Sequence, residues 1–375
     1  MKRIVFLTGT RADFGKLKSL IKISQNSDRF EVHVFATGMH MNSKFGKTVD
    51  EIFKSGFSNI YQFINHDEIN NMDRTLAKTI EGFSHYIAEI NPDLIVVHGD
   101  RVEALAGAIV GSLNNILVAH IEGGEISGTV DELIRHSVSK LSHIHLTANE
   151  EAKNRLVQLG ELKNSIFILG SPDLDLMISK KLPKLDVVKN YYDIDFDEYS
   201  IAMYHPVTTE YNYAQENVKH FVDAMVESDL NYILIFPNND LGSIEILNEY
   251  KNIESNKKIR IFPSLRFEYF LTLLKNADFM IGNSSAGIRE APFYNVPTVD
   301  IGTRQNNRAT FPSIFHCETT SEKIIEAINY TLEYKGDNGR ANDYFGEGKS
   351  DKLFLKLLNS KEMWDISHQK QFQEL

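Results

Sequence analysis

The chain alternates short apolar runs with longer segments in which apolar residues recur every three or four positions. Runs such as 4–7, 32–35 and 94–97 predict strands buried on both faces, because they lack the alternation of a half-exposed strand. The clearest helical spacing places its apolar residues on one face, at Leu76, Ile80, Phe83, Ile87 and Ile90. Strands that alternate with helices in this way predict an α/β fold built on parallel, doubly wound sheets.

The pattern weakens over residues 176–198 and then starts again. Further strands are predicted before this stretch at 116–120, and after it at 201–204, 232–236, 259–262, 279–281 and 298–301. A chain of 375 residues is long enough for two domains of ordinary size. We therefore predict a first domain over 1–178 and a second over 179–350, each with its own parallel sheet.

Composition narrows the class of protein. The formal net charge of -11 argues against a nucleic-acid partner, but a few arginines could still hold a small anionic ligand. Cys317 is the only cysteine, so the sequence predicts neither an internal disulfide nor a cysteine-rich metal site. The first apolar run is too short for a signal peptide, and no run approaches the about 20 apolar residues of a membrane helix. These features favour a cytoplasmic protein without a membrane partner.

Ligands of open parallel sheets bind beyond the carboxyl ends of the strands, so the loops that follow the predicted strands form the candidate site. The first loop, 8–16, lacks the GxGxxG spacing of dinucleotide sites and gives no support for a nicotinamide cofactor. Arg11 in this loop is either a clamp for phosphate oxygens or a surface arginine beside a capped helix. The loop alone does not separate these two interpretations.

Two carboxylates directly follow strands of the first half. Asp100 comes after a buried strand, and its side chain either points into the site or caps the next helix. Glu122 stands between a buried strand and Gly123-Gly124, where an acid has no obvious capping role. The two glycines would let a ligand approach the backbone closely.

A third carboxylate lies at the start of a predicted helix. Thr129 and Glu132 have the spacing of a capping box, which predicts a helix from about Val130. Asp131 then lies in the first turn, where it interacts either with the helix dipole or with a ligand.

In the second half, residues 282–290 resemble a phosphate-binding loop, because glycine, two serines and glycine follow a strand and open a predicted helix. Ile288 stands where a P-loop has lysine, which argues against ATP hydrolysis. Glu290, one turn into the predicted helix, either accepts two ribose hydroxyls or is a solvated helix acid. Weaker candidates that follow other strands are His205, Asn238 and Arg304.

Three histidines lie close together in the sequence, at His136, His143 and His145. The last two would share one face of a short strand. Acidic partners and an open ligand geometry are not indicated, so we interpret them as core or interface histidines and expect no metal.

Taken together, these loops resemble the hydrolysing UDP-N-acetylglucosamine 2-epimerases of sialic acid synthesis. The matching segments span nearly the whole chain in order, at 9–13, 98–101, 120–131, 134–136, 170–173, 205–209, 282–290 and 302–305. The resemblance implies a GT-B-like architecture of two Rossmann-like domains with the active site in the cleft between them. It also implies that C-terminal helices over 351–375 cross back to the first domain.

The resemblance further implies a reaction without a redox cofactor. UDP would leave by anti elimination across C1–C2 to give 2-acetamidoglucal, and water would then add in syn fashion. Asp100, Glu122 and Asp131 would be the catalytic carboxylates, with His205 as a diphosphate or acid–base partner. The remaining residues that would bind the UDP-sugar are Arg11, Asp13, Lys16, Asn238, Ser284, Ser285, Gly287, Glu290 and Arg304. A homodimer or homotetramer is expected.

Several alternatives stay open at this point. Non-hydrolysing relatives carry Pro-Glu after Gly-Thr-Arg in the first loop, whereas this chain has Ala12-Asp13, which favours hydrolysis. A sister hydrolysing enzyme would act on a UDP-2,4-diacetamido-trideoxy sugar of the legionaminic acid pathway. A glycosyltransferase of the same architecture would not need Glu122 and Asp131 together, and an inactive sugar-nucleotide sensor would be expected to lose carboxylates that this chain retains.

Overall fold

The computed structural model describes residues 1–43, 46–66, 71–179, 182–308, 310–334, 336, 344–371 and 373–374. The chain divides into two units. Unit 1 contains Met1–Glu125, Asp131–Ser179 and Asp343–Leu375, and unit 2 contains Ile126–Val130 and Lys180–Asn342.

Each unit is built on one parallel sheet. The strands of unit 1 are β1 (Lys2–Thr8), β2 (Phe30–Ala36), β3 (Ile60–Gln62), β4 (Leu94–His98), β5 (Leu117–Ile121), β6 (Ile144–Thr147) and β7 (Ile166–Ile168). Those of unit 2 are β8 (Ser200–Met203), β9 (Tyr232–Ile235), β10 (Ile259–Phe262), β11 (Met280–Gly282), β12 (Thr298–Ile301) and β13 (Ile314–Cys317). The predicted α/β class with two doubly wound parallel sheets is confirmed.

The helices are, in chain order, α1 (Arg11–Gln25), α2 (Val49–Lys54), α3 (Met72–Ile90), α4 (Val102–Leu113), α5 (Val130–Leu141), α6 (Glu150–Gln158), α7 (Asp173–Met177), α8 (Leu185–Tyr192), α9 (Ala214–Glu227), α10 (Ser243–Asn252), α11 (Phe267–Lys275), α12 (Glu290–Phe293), α13 (Ser321–Glu333), α14 (Ser350–Leu358) and α15 (Lys361–Trp364). The helix predicted from about Val130 is α5. Across the described ranges, no helix is both long and apolar enough to span a membrane.

The strand order locates the candidate loops. The first sheet runs β3-β2-β1-β4-β5-β6-β7 and the second runs β10-β9-β8-β11-β12-β13. In both sheets the order reverses beside the first strand, between β1 and β4 and between β8 and β11. Ligands of doubly wound sheets bind beyond the carboxyl ends of the strands at this point. Predicted site residues follow all four strands: Arg11 begins the helix after β1, Asp100 follows β4, His205 follows β8, and Ser284, Ser285 and Gly287 follow β11.

Two short segments group differently from the predicted domains. Ile126–Val130 belongs to unit 2, where the Gly128 N–H donates to the Arg304 carbonyl at 3.3 Å. Tyr344 and Phe345 belong to unit 1, where the Phe345 carbonyl accepts the N–H of Ser171 at 2.7 Å. These contacts join the two segments to residues that are distant in the sequence.

Helix α14, near the C-terminus, contributes to the core of unit 1. Phe354 is fully buried beside Phe6, and their ring centroids lie 6.2 Å apart. The carboxylate of Asp175 accepts the backbone N–H groups of Ser350 and Asp351, at 2.8 and 3.0 Å. These two bonds satisfy N–H groups that would otherwise lack a partner in the first turn of α14.

Candidate active site

The loop between β1 and α1 is organised by the carboxylate of Asp13. Thr10 and Asp13 form a reciprocal capping box, so α1 begins at Arg11. The carboxylate accepts the backbone N–H groups of Gly9, Thr10 and Phe14 at 2.9, 2.8 and 2.7 Å. The structure therefore gives Asp13 the task of shaping the loop that presents Arg11. Its contact with substrate stays a prediction.

Glu122 lies in a polar pocket of unit 1 immediately after β5. It is 4% exposed and adopts a left-handed backbone conformation (φ 64°), which is costly for a residue with a side chain and is often found at functional sites. Its Oε1 accepts the Ser171 hydroxyl at 2.8 Å and lies 3.2 Å from the Lys16 Nζ, while His98 Nε2 lies 3.3 Å from its Oε2. The Lys16 Nζ also lies 3.7 Å from the Asp173 carboxylate. Lys16 thus compensates buried negative charge, and its predicted contact with substrate stays untested.

The carboxylates of Asp100 and Asp131 lie close to Arg135 of α5. Asp100, directly after β4, forms an ion pair with this arginine, and Asp131 lies one helical turn before it. Arg135 is 2% exposed. Burial alone would lower its pKa, but the charges of Asp100, Glu125, Glu122 and Asp131 raise the pKa above its ordinary value. One buried guanidinium is therefore paired with Asp100 and also feels the charges of the other two predicted catalytic carboxylates, Glu122 and Asp131.

In unit 2, Asn283 connects residues that follow three different strands. Its side chain accepts the His205 N–H at 2.6 Å and donates to the His205 carbonyl at 2.8 Å. Its own carbonyl accepts from Arg304 at 3.2 Å and from Gln305 at 2.7 Å. His205 Nδ1 accepts the Asn238 N–H at 3.0 Å, so the neutral ring carries its proton on Nε2. The predicted residues His205, Asn238 and Arg304 are thus brought together.

The segment after β11 departs from the predicted helix start. Ser284 accepts a backbone N–H at 3.3 Å, and Ser285–Gly287 forms a single 3₁₀ turn. Helix α12 begins only at Glu290, so this residue, which is 4% exposed, is the first of its helix and not one turn into it. A Cβ on Gly287 would lie 2.6 Å from a Thr298 methyl group, so this glycine is required for packing against β12. The packing gives a local reason for the glycine that does not depend on a ligand.

Sequence reasoning did not assign several polar residues of these two groups, among them His98, Arg135, Ser171, Asp173 and Asn283. All lie in segments that carry the family resemblance. The signal for Arg135 was its position one helical turn after a predicted carboxylate, which places both on one helix face. His98 ends β4 and the others follow strands directly or nearly so, and that position alone marks a candidate.

The three histidines considered as metal ligands have separate partners. His143 precedes β6 instead of lying within it, and its Nδ1 accepts the Val118 N–H at 3.1 Å. His145, fully buried, bonds Glu161 at 3.0 Å. His136 pairs with an acid one turn earlier on α5. For His143 and His145 these contacts are those of core histidines, and the described residues contain no cluster suited to a metal ion.

Unit 1 should lose stability in mild acid because burial keeps three of its histidines neutral. Burial lowers the pKa of His40 to about 4, of His120 to about 3 and of His143 to about 4. The unfolded chain protonates these rings near 6.5, so their contribution is complete above that pH and is lost as the pH falls toward 4. At about pH 5, protonation of each ring in the unfolded chain should lower the free energy of unfolding by up to about 2 kcal/mol.

Urea unfolding at about pH 7.5 and about pH 5 measures this effect. His143→Asn should reduce the difference between the two pH values, whereas His85→Asn, at an exposed position of α3, should leave it unchanged. Equal unfolding free energies of the native chain at both pH values would show that these rings are not neutral in the folded state.

The polar residues described in unit 1 and those described in unit 2 suit different parts of one reaction. Unit 1 offers buried and half-buried carboxylates beside an ammonium and a guanidinium, which suits proton transfer and the stabilisation of developing positive charge. Unit 2 offers a histidine Nε2–H, serine hydroxyls and Arg304, which suit an anionic group.

Comparison with known proteins gives a consistent picture. A family model described as UDP-N-acetylglucosamine 2-epimerase matches residues 22–359. The chain is 49% identical to the UDP-N-acetylglucosamine 2-epimerase of Neisseria meningitidis serogroup B, with 100% of both chains covered. It is 34% identical to the UDP-N,N'-diacetylbacillosamine 2-epimerase (hydrolyzing) of Legionella pneumophila over 96% of each chain.

Among solved structures, the chain is similar to the UDP-GlcNAc 2-epimerase of Methanocaldococcus jannaschii in complex with UDP-GlcNAc and UDP. The TM-score is 0.82 at 24% identity, over 96% of this chain and 99% of that one. This similarity confirms the predicted GT-B-like fold class.

Proposed function

Because the chain belongs to the UDP-N-acetylglucosamine 2-epimerase family, we propose that it is a hydrolysing member that converts UDP-N-acetylglucosamine to UDP and N-acetylmannosamine. The observation that carries this proposal is the group of carboxylates around Arg135 and Lys16, of which Glu122 and Asp131 are buried. Ala12-Asp13 in the first loop and the 34% identity to a relative described as hydrolyzing favour hydrolysis.

The proposed reaction has two steps. In the first, the C1–O bond breaks, UDP leaves with the electron pair, and a carboxylate removes the C2 proton to give 2-acetamidoglucal. In the second, water adds its hydroxyl to C1, and a proton returns to C2 on the opposite face. Because the C2 proton is weakly acidic, the bond to UDP must break early. That demands stabilisation of negative charge on the diphosphate and of positive charge near C1.

The carboxylates of Asp100, Glu122 and Asp131 supply the acid and base functions at the sugar in this proposal. General acid–base assistance is typically worth about 10²–10⁴-fold. Arg135 and Lys16 hold negative charge within a buried site, where unpaired carboxylates would be costly. The carboxylates are thus fixed before substrate arrives, which lowers the reorganisation needed during reaction.

UDP is proposed to lie mainly on unit 2. Its phosphates would contact Ser284 and Ser285, and its ribose hydroxyls would donate to Glu290. Two observations support this placement. The three residues follow β11, beside which the order of the second sheet reverses. His205 follows the neighbouring strand β8 and presents an Nε2–H donor. Arg11 and Arg304 would add positive charge at the diphosphate.

The biological setting is proposed from the same resemblance. N-acetylmannosamine would enter sialic acid synthesis for a capsule or surface polysaccharide, in a cytoplasmic homodimer or homotetramer without a redox cofactor. One alternative substrate has a specific observation in its favour. The Legionella relative is described as acting on UDP-N,N'-diacetylbacillosamine, a UDP-2,4-diacetamido-trideoxy sugar, so that substrate must be tested beside UDP-N-acetylglucosamine.

The test is product analysis by phosphorus and proton NMR with each of the two UDP-sugars. Free UDP and N-acetylmannosamine are expected from UDP-N-acetylglucosamine, at a higher kcat/KM than with the diacetamido sugar. Accumulation of UDP-N-acetylmannosamine would make the chain a non-hydrolysing epimerase. A preference for the diacetamido sugar would move it to the alternative pathway.

A further inference from the structure

His120 is a buried polar residue of unit 1 to which the proposed reaction assigns no task. It belongs to β5, two positions before Glu122, and its side chain is fully buried. Its ring makes two hydrogen bonds at opposite ends. Nε2 lies 2.8 Å from the carbonyl of Gly99, and Nδ1 lies 3.0 Å from the hydroxyl of Ser139.

The partners determine where the ring proton lies. A carbonyl only accepts hydrogen bonds, so Nε2 carries the proton and donates it to Gly99. Nδ1 is then an acceptor, and the Ser139 hydroxyl donates to it. The ring is neutral in this arrangement, and the low pKa that burial gives it agrees with that state. A neutral ring with both nitrogens engaged does not transfer protons to a sugar.

The two bonds join the elements that present the carboxylates. Gly99 has a positive φ of 71° and directly precedes Asp100. Ser139 lies on α5, two turns after Asp131 on the helix that also contains Arg135. His120 itself lies on the strand that leads into Glu122. A single imidazole is therefore bonded to the loop, the helix and the strand from which the three carboxylates extend.

Gly123 gives independent support for this arrangement. A Cβ at this position would lie 2.9 Å from His120 Nδ1 and 2.9 Å from the Ser139 hydroxyl oxygen. Any side chain larger than hydrogen would therefore push these two atoms apart. Gly123 has no positive φ, so its absence of a side chain is explained by space at the His120–Ser139 pair and not by backbone conformation.

We propose that His120 is a positioning residue that fixes Asp100 relative to Asp131 and Arg135 by bonding Gly99 and Ser139 at once. The inference rests on the proposed function of these carboxylates. A misplacement of about 1 Å in a catalytic group can cost about 10²-fold in rate. Loss of both bonds should therefore lower kcat without removing any group that touches the substrate.

The experiment compares His120→Phe, which keeps a ring but makes neither bond, with His120→Gln, whose amide can still donate to Gly99. We expect kcat to fall about 10- to 100-fold in His120→Phe and less in His120→Gln, with KM and the affinity for UDP within about twofold of the native values. The pH dependence of kcat should keep its shape, since His120 does not titrate in the reaction. Ser139→Ala and Gly123→Ala should each reproduce part of the loss, and they test the pair even if His120→Phe does not fold.

His143→Asn is the matched control. His143 is also a buried histidine of unit 1, but its partners are Val118, at the start of β5, and His368, which lie on neither the Asp100 loop nor helix α5. It should lose stability and keep kcat. Native kcat in a folded His120→Phe, or native kcat in both Ser139→Ala and Gly123→Ala, would overturn the proposal, as would loss of one limb of the pH profile in His120→Gln. The proposed function is tested separately, by the products that the native chain forms. The variants test only the positioning role, because each is compared with the native rate of sugar-nucleotide consumption.

Discussion

Asp100→Asn and Glu122→Gln are each expected to lower turnover by at least about 10²-fold. Both substitutions preserve the size of the side chain and remove its capacity to give or take a proton. The glutamine oxygen at 122 can still accept the Ser171 hydroxyl, and Lys16 still has the Asp173 carboxylate 3.7 Å away. The fold should therefore survive the change.

Affinity for UDP should change little in these variants, because the carboxylates address the sugar and not the nucleotide. Turnover is measured as release of UDP, affinity by calorimetry, and folding by circular dichroism. Glu89→Gln, which makes the same change at an exposed site on α3, is the control and should leave all three unchanged. Near-normal turnover in both Asp100→Asn and Glu122→Gln would show that these carboxylates act only as helix caps or structural ion pairs.

The interior strands of both sheets could be predicted from the sequence, because strands covered on two faces read as continuous apolar runs. The pattern does not predict β3, β7 and β13. Each of them lies at an edge of its sheet, is three or four residues long and is partly exposed. A short edge strand pairs with one neighbour only, which weakened the apolar signal of these three, whereas the edge strand β10 kept enough of it to be predicted.

The candidate loops could also be predicted. Once the strands are assigned, the loops that follow them lie at one edge of the sheet, because the carboxyl ends of parallel strands meet there. The partners of the carboxylates could not. Arg135 and Asp100 lie 35 positions apart, and Lys16 and Glu122 lie 106 positions apart, so no local pattern joins them. The task that the structure gives Asp13 was visible locally, since its spacing from Thr10 is that of a capping box.

Isotopes taken up from the solvent should show which bonds break in the reaction. If the C2 proton is lost to a carboxylate and replaced from water, N-acetylmannosamine formed in deuterated water should carry deuterium at C2 in nearly every molecule. If the C1–O bond breaks, oxygen from ¹⁸O-labelled water should enter the sugar and not the UDP. The anomeric oxygen exchanges with water through ring opening, so the informative product is UDP sampled early. No redox step is needed, which agrees with the absence of a GxGxxG sequence in the first loop.

The most direct test of the central claim is therefore one reaction of UDP-N-acetylglucosamine in deuterated, ¹⁸O-labelled water, followed by NMR and mass spectrometry at early times. Elimination and hydration predict N-acetylmannosamine with deuterium at C2 together with UDP free of ¹⁸O. Label in UDP would mean attack at phosphorus, and protium retained at C2 would mean that the proton never left. Either result would contradict the proposed reaction.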